Sequence, residues 1–229
     1  MKDKKTLVYQ LLCIALLVAL ICTVLCKKST SPESTEPTAQ QSAQSAPPPS
    51  VPTTNGWKKI APSEITDNSI DLIDNYKGIL AMGNKEEHNA MTIGWGTLGV
   101  LWGKPIYTVF VSSSRFSYTL LEKYDTFTVT FFNKSHMKDV MYLGHHSGRD
   151  GDKIRKTSLH LNYTEAGNPI FDEAFLVIEC RKIYAAPFDS AKLLPEQKDF
   201  YEKRQIGIHS EYVGEILNVF VKEENRVEK

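Results

Sequence analysis

From Leu7 to Cys26 the chain runs for twenty residues with no charged side chain and with Gln10 as the single strongly polar group. A helix rises about 1.5 Å per residue, so such a run spans roughly 30 Å, the hydrocarbon thickness of a bilayer. It carries no polar stripe, as a helix buried in a globular core would. The head before it is basic, with Lys2, Lys4 and Lys5. Residues 1–28 therefore read as a membrane or signal segment, and the globular fold must come from the rest of the chain. Three forms of the segment stay open: an uncleaved anchor, a lipoprotein acylated at Cys26, and a cleaved secretory signal. The run is longer than a usual signal core and has no A-x-A-like end. Thr23-Val24-Leu25 lacks the small residues expected before a lipidated cysteine.

Residues 29–56 are a linker. In 29–54, seventeen of twenty-six residues are Ser, Thr or Pro and none is aromatic, so nothing there can bury enough apolar surface to offset chain entropy. Pro47-Pro48-Pro49 stiffens it. The domain is then 57–229, with 22 basic and 24 acidic residues, a net charge of −2. That balance argues against a nucleic-acid binder, which carries a basic excess. Three of the four cysteines lie in the apolar run, leaving Cys180 alone in the domain and no internal disulfide possible. Lys2, Lys4 and Lys5 face Lys27 and Lys28 across the segment, a slight bias that keeps the N-terminus inside. The expected arrangement is a membrane-anchored domain on the extracytoplasmic side.

Within the domain, β-branched and aromatic clusters predict strands at Ile79–Met82, Ala90–Trp95, Ile106–Val111, Thr126–Phe132, Phe175–Lys182 and Tyr212–Val221. Phe127-Thr128-Val129-Thr130-Phe131 alternates strictly, as in a sheet wet on one face. Helices are predicted at Arg115–Lys123, His136–Gly144, Asp150–Lys156 and Pro195–Arg204. Strands outnumber helices and do not alternate with them, which excludes a doubly wound parallel sheet. The expected fold is mainly β, a closed or nearly closed antiparallel barrel with short helices in its crossovers.

Several motifs fail on context. Gly94-Trp95-Gly96-Thr97-Leu98-Gly99 matches G-x-G-x-x-G, but a strand pattern comes after it where the dinucleotide fingerprint needs a helix. His145-His146 and Asp150-x-Asp152 lack further ligands at metal spacing, so no metal site is expected. Asn133-Lys134-Ser135 and Asn162-Tyr163-Thr164 are sequons by pattern alone. There is no Gly-x-Ser-x-Gly, and Cys180 has no visible base beside it. What survives is Ser112-Ser113-Ser114-Arg115-Phe116-Ser117, which closes an apolar strand and opens a helix. Helix N-termini bind anions, and three hydroxyl residues with an arginine suit a phosphate. The plain alternative is a serine N-cap with Arg115 on the surface. Ser147-Gly148-Arg149-Asp150-Gly151-Asp152-Lys153 is a second such loop, and its plain alternative is an exposed charged turn. With the aromatic-rich strand, the two loops suggest a phosphorylated aromatic ligand.

These segments, with Asn89-Ala90-Met91-Thr92-Ile93-Gly94-Trp95-Gly96, Gly99–Pro105, Glu179-Cys180-Arg181-Lys182 and the ending His209 … Gly214-Glu215-Ile216, resemble the flavin reductase-like family, closest to its flavoredoxin branch. The resemblance covers roughly Trp57 to Glu223. It implies a split β-barrel homodimer that binds FMN near the subunit interface. Asn89, Thr92 and Trp95 would line the isoalloxazine, Arg115 and Ser117 would hold the phosphate end, and Ser147, Gly148 and Lys153 would approach the flavin or its phosphate. His209 would sit beside the ring system as the catalytic candidate. Relatives commonly carry an arginine, often followed by proline, where this chain has Ser112-Ser113, and a threonine in place of Ser117; one fewer cation implies weaker phosphate affinity.

The function so implied is that of an FMN-dependent flavoprotein oxidoreductase. It would pass electrons from NAD(P)H or a redox partner to a flavin or protein acceptor. The alternative is an electron carrier, or a flavin-binding interaction module at the membrane surface, that does not turn over. Lys153 and His209 are the candidates to offset charge on the reduced cofactor, and Trp95 and Phe131 the candidates to wall off its ring, Phe131 being more at home in the core.

Overall fold

Ten strands and three helices of eight residues or more carry the domain in this computed structural model, which describes residues 56–226. The expected N-terminal segment, and the linker up to residue 55, lie outside the described residues. Among the described residues, no helix is long and apolar enough to cross a membrane.

The strands are β1 (Lys58–Ile60), β2 (Ile79–Gly83), β3 (His88–Thr92), β4 (Gly96–Leu101), β5 (Lys104–Ser112), β6 (Thr126–Phe131), β7 (Leu161–Tyr163), β8 (Pro169–Phe171), β9 (Leu176–Pro187) and β10 (His209–Val221). Apart from the separate β7–β8 hairpin they form one sheet in the order β3-β2-β6-β9-β10-β5-β4, with β1 added to the far end of β10. Every pairing is antiparallel. The helices are α1 (Phe116–Lys123), α2 (Met137–His145) and α3 (Pro195–Arg204), each in a crossover between strands.

The sheet curls on itself. Two strands, β9 and β10, separate β5 from β6, yet the rings of Tyr107 (β5) and Phe131 (β6) lie 6.4 Å apart. The enclosed core takes Leu80, Val109, Phe127, Val129, Ile178, Cys180 and Tyr212. A second apolar layer lies on the opposite face, where Ile79, Ala81 and Val177 meet Val140 and Leu143 of α2 and the β8 residues Ile170 and Phe171.

That second layer corrects one sequence reading. Thr128 and Thr130, the expected wet face of β6, are fully buried. The β7–β8 hairpin covers them, and the Thr128 hydroxyl donates to the Pro169 carbonyl at 2.5 Å. Alternation of Phe, Val and Thr cannot tell solvent from a covering hairpin, because threonine suits either.

The predicted Asp150–Lys156 helix is also absent as such. Two single turns stand in its place, Gly148–Asp150 and Ile154–Lys156. Gly151 breaks the run with φ +111°, and the Asp152 carboxylate accepts from the Ile154 N–H at 3.0 Å, starting a new turn instead of continuing the old one.

Candidate functional site

β5 ends at Ser112 and α1 begins at Phe116, so the hydroxyl-rich turn is the strand-to-helix junction expected. Its three serines do different work. Ser112 is buried and donates to the Gly207 carbonyl at 2.8 Å, tying the turn to the segment before β10. Its hydroxyl also lies 2.9 Å from that of Ser114. Of the three, Ser114 alone lines the cavity at the helix mouth; Ser112 is spent on the turn itself. Arg115 occupies the N-cap in extended conformation with no side-chain cap, so the first N–H groups of α1 are left without a side-chain acceptor.

That mouth opens on a cavity of about 280 Å³. Asn89 and Met91 of β3, Arg115 to Ser117 at the start of α1, Gly144 of α2 with His146 just after it, and Ser147 to Arg149 line it, with Lys153. Asn89 is buried and its Nδ2 donates to the Ser117 hydroxyl at 2.7 Å, locking β3 to the first turn of α1. Ser147 caps the turn after it, accepting from the Arg149 N–H at 3.2 Å. A Cβ on Gly148 would stand 2.5 Å from Asn89 Oδ1 and 2.6 Å from the Phe116 ring, so this approach requires glycine.

Three cations border the cavity. Lys153 is 6% exposed, and its Nζ donates to the carbonyls of Leu143 (2.6 Å) and His146 (2.8 Å) at the C-terminal end of α2. Arg149 donates to the Ser114 carbonyl at 3.1 Å and lies 5.8 Å over the Phe116 ring. Among the described residues neither of these, nor Arg115, is paired with a carboxylate. Burial, and then the neighbouring Arg115 charge, pull the Lys153 ammonium down to about 8. One buried lysine and two exposed arginines, beside an uncapped helix N-terminus, make a site for an anion.

Beyond the cavity stands an aromatic group. The His209 ring, at the start of β10, lies 4.5 Å from Trp95 and 5.7 Å from Tyr201, and Trp95 lies 5.6 Å from Phe200 of α3. Burial, then Arg115, push the His209 imidazole down to about 4. An imidazole held that low carries no charge near neutral pH, so of the two residues expected to supply positive charge only Lys153 keeps it there.

The flavin reductase like domain family matches residues 78–228. This chain belongs to that family. No curated protein matches it. Among solved structures, this flavin reductase-like domain is similar to flavoredoxin from Methanosarcina acetivorans, at 23% identity and TM-score 0.52 over 66% of this chain and 72% of that one. It is similar to an FMN-binding domain of a flavin reductases-like enzyme from Shewanella baltica, at 12% identity and TM-score 0.54 over 75% of this chain and 80% of that one. A third likeness is to an NADH:FAD oxidoreductase from Streptomyces globisporus, at 16% identity and TM-score 0.50 over 66% and 78% of the two chains. At these identities the likeness is one of fold.

Six of the nine site residues expected from sequence, Asn89, Arg115, Ser117, Ser147, Gly148 and Lys153, line this cavity of the flavin reductase-like domain. Thr92, Trp95 and His209 do not. Thr92 hydrogen-bonds the Val140 carbonyl and packs on Gly144, fastening β3 to α2. Trp95 is 41% exposed and belongs with His209 in the aromatic group. Phe131 is fully buried in the enclosed core. Sequence reasoning passed over Arg149, although it adjoins Gly148 in a loop rich in candidate residues, and Tyr201, whose contact with His209 comes from tertiary packing alone.

Proposed function

We propose that this domain is a split-barrel flavoprotein that binds FMN, with the phosphate held at the mouth of α1, and that it works as an oxidoreductase. The observation that carries the reading is the meeting of Arg115, Arg149 and Lys153 on one cavity without a carboxylate among the described residues. A phosphate monoester is dianionic near neutral pH and meets such a cluster with charge-assisted hydrogen bonds. The residues present fit that group: an uncapped helix N-terminus, three cations, and a glycine that lets the backbone close in. The family, and the names of the FMN-binding and flavoredoxin neighbours, point to the same ligand.

When bound, FMN would supply a two-electron acceptor that the protein's own side chains lack. The chain's residues would then orient and tune it. Lys153, fixed by two carbonyls, would hold positive charge near the ligand without needing to reorganise. Asn89 and Ser117 would set the distance between β3 and α1. Trp95 and His209 would cover the exposed side and limit water. The donor would be NAD(P)H or a reduced protein, and the acceptor a flavin or a protein. The chain would work as a homodimer tethered to the outer side of the cytoplasmic membrane through residues 1–56.

A second reading, an electron carrier without NAD(P)H turnover, is favoured by that placement, since NAD(P)H is scarce outside the cytoplasm. The deciding experiment purifies the full chain in detergent, records its visible spectrum, and titrates it with NADH or NADPH without oxygen. Yellow protein that bleaches supports the reductase, and yellow protein that does not bleach supports the carrier. Protein that is colourless and takes up no added FMN removes both. Sedimentation of the same sample checks the dimer.

A further inference from the structure

Helix α3 is polar apart from Phe200 and Tyr201, and Tyr201 is its one buried residue. A helix without an apolar face adds little to a core, so its value lies in what it presents to the sheet. It presents two rings. Phe200 rests 5.6 Å from Trp95, with the Arg204 guanidinium 4.4 Å over it. Tyr201 brings its hydroxyl to 3.2 Å from Nδ1 of His209, which is the only side-chain hydrogen bond of that imidazole among the described residues.

The direction of this bond is set by its surroundings. Burial raises the Tyr201 phenol, so it keeps its proton. At that 3.2 Å contact the phenol O–H is the stronger donor and the imidazole nitrogen the stronger acceptor, so the Tyr201 proton goes to Nδ1. The imidazole beside Trp95 is kept neutral by burial and by the Arg115 charge. A neutral imidazole that accepts at Nδ1 carries its proton on Nε2.

We propose that Tyr201 is a positioning residue whose hydroxyl fixes His209 as the Nε2–H tautomer, leaving Nε2–H as the one N–H donor of a ring held in the aromatic group. The use of that donor, to steady negative charge on a reduced flavin, rests on the FMN reading. The tautomer itself does not. Rotation of the ring is further checked by Trp95, 4.5 Å away.

The test separates the two. The full chain is labelled with 15N at histidine, and long-range proton–nitrogen correlation spectra are taken at neutral pH without flavin, for the wild type and Tyr201→Phe. Circular dichroism checks that the variant is folded. The wild type is expected to show His209 as a single Nε2–H tautomer, and Tyr201→Phe a shift of both ring nitrogens towards the averaged values of a mixed population. A wild-type His209 already averaged or protonated at Nδ1 overturns the proposal, as does a Tyr201→Phe spectrum identical to wild type. Added FMN then gives a second readout: the midpoint potential of the bound flavin should fall in Tyr201→Phe but not when the same change is made on His209→Gln. An equal fall in both backgrounds shows that Tyr201 does not act through His209. Failure to bind FMN at all removes the flavin reading while leaving the tautomer result standing.

Discussion

Arg115 holds the N-cap position of α1 without using its side chain to cap it, and no carboxylate among the described residues answers its charge. Its removal therefore takes little from the fold. Arg115→Ala should change unfolding free energy by no more than about 0.5 kcal/mol, as exposed substitutions do. It should weaken FMN binding by about 1.5–3 kcal/mol, roughly ten- to hundredfold. Chemical denaturation and a flavin fluorescence titration measure the two, and equal loss in both would make Arg115 structural. Lys153 is the converse case, a charge that the fold itself opposes. Burial and Arg115 lower its ammonium from 10.5 to about 8. Between those values the unfolded chain binds more protons than the folded one, so the lysine's penalty on stability is full below about 8 and fades as pH rises towards 10.5. A bound dianion favours the charged form, so binding takes up a proton once pH exceeds about 8. FMN affinity should thus be greatest below about 8 and decline above it. Lys153→Met should lower affinity tenfold or more and remove that decline. A pH series of titrations on both proteins checks this, and parallel slopes would refute it.

The cavity is made by elements brought together at their ends: the close of β5, the start of α1, the end of α2 and the turn at Gly148. Their docking depends on contacts too tight for any side chain at Gly148. Gly148→Ala forces the turn away from Asn89 and Phe116, a strain of about 1–3 kcal/mol. The expected result is a lower melting temperature together with lost FMN uptake, unlike Arg115→Ala, which loses uptake alone. Much at this scale is legible in the sequence. α3 is found at its predicted bounds, Pro195–Arg204, and α1 and α2 within one residue of theirs. Each predicted strand has a counterpart, since β-branched and aromatic clusters state a strand locally. β1, β4 and the β7–β8 hairpin escape sequence reading for the opposite reason. β4 carries two glycines beside its few strand formers, Thr97 and Val100, and is fixed by its ladder with β5. The anion site shows in sequence through its hydroxyls and cations. The aromatic group does not, because Trp95, Phe200, Tyr201 and His209 stand in segments joined only by folding.

At the scale of the whole domain, the curl of the sheet decides what the cavity can be. β10 is its spine, pairing with β9 along one side and with β5 and then β1 along the other. His209, at its first residue, reaches the aromatic group, while Val213 and Gly214 sit at a register shift against β9. Such a bulge bends a strand and increases its twist. Gly214 leaves no room for a side chain: a Cβ there would stand 2.5 Å from the Phe127 ring and 2.7 Å from Cys180 Cβ. Both residues are fully buried in the enclosed core, so neither can swing into solvent. The sequence shows a glycine before Glu215 but not that Phe127, on a strand far away in the chain, presses against it. Gly214→Ala must displace Phe127 and Cys180, costing about 1–3 kcal/mol by overpacking. Because the strain sits in the core and not at the cavity, thermal unfolding should stay a single cooperative step at lower temperature. FMN affinity measured well below that step should be within a fewfold of wild type. Gly148→Ala and Gly214→Ala then form a matched pair with similar lost stability and opposite effects on the ligand. If Gly214→Ala abolished uptake while still folded, the cavity would be coupled to the core curvature, and the ends of β5 and β10 could not be treated as a rigid frame for it.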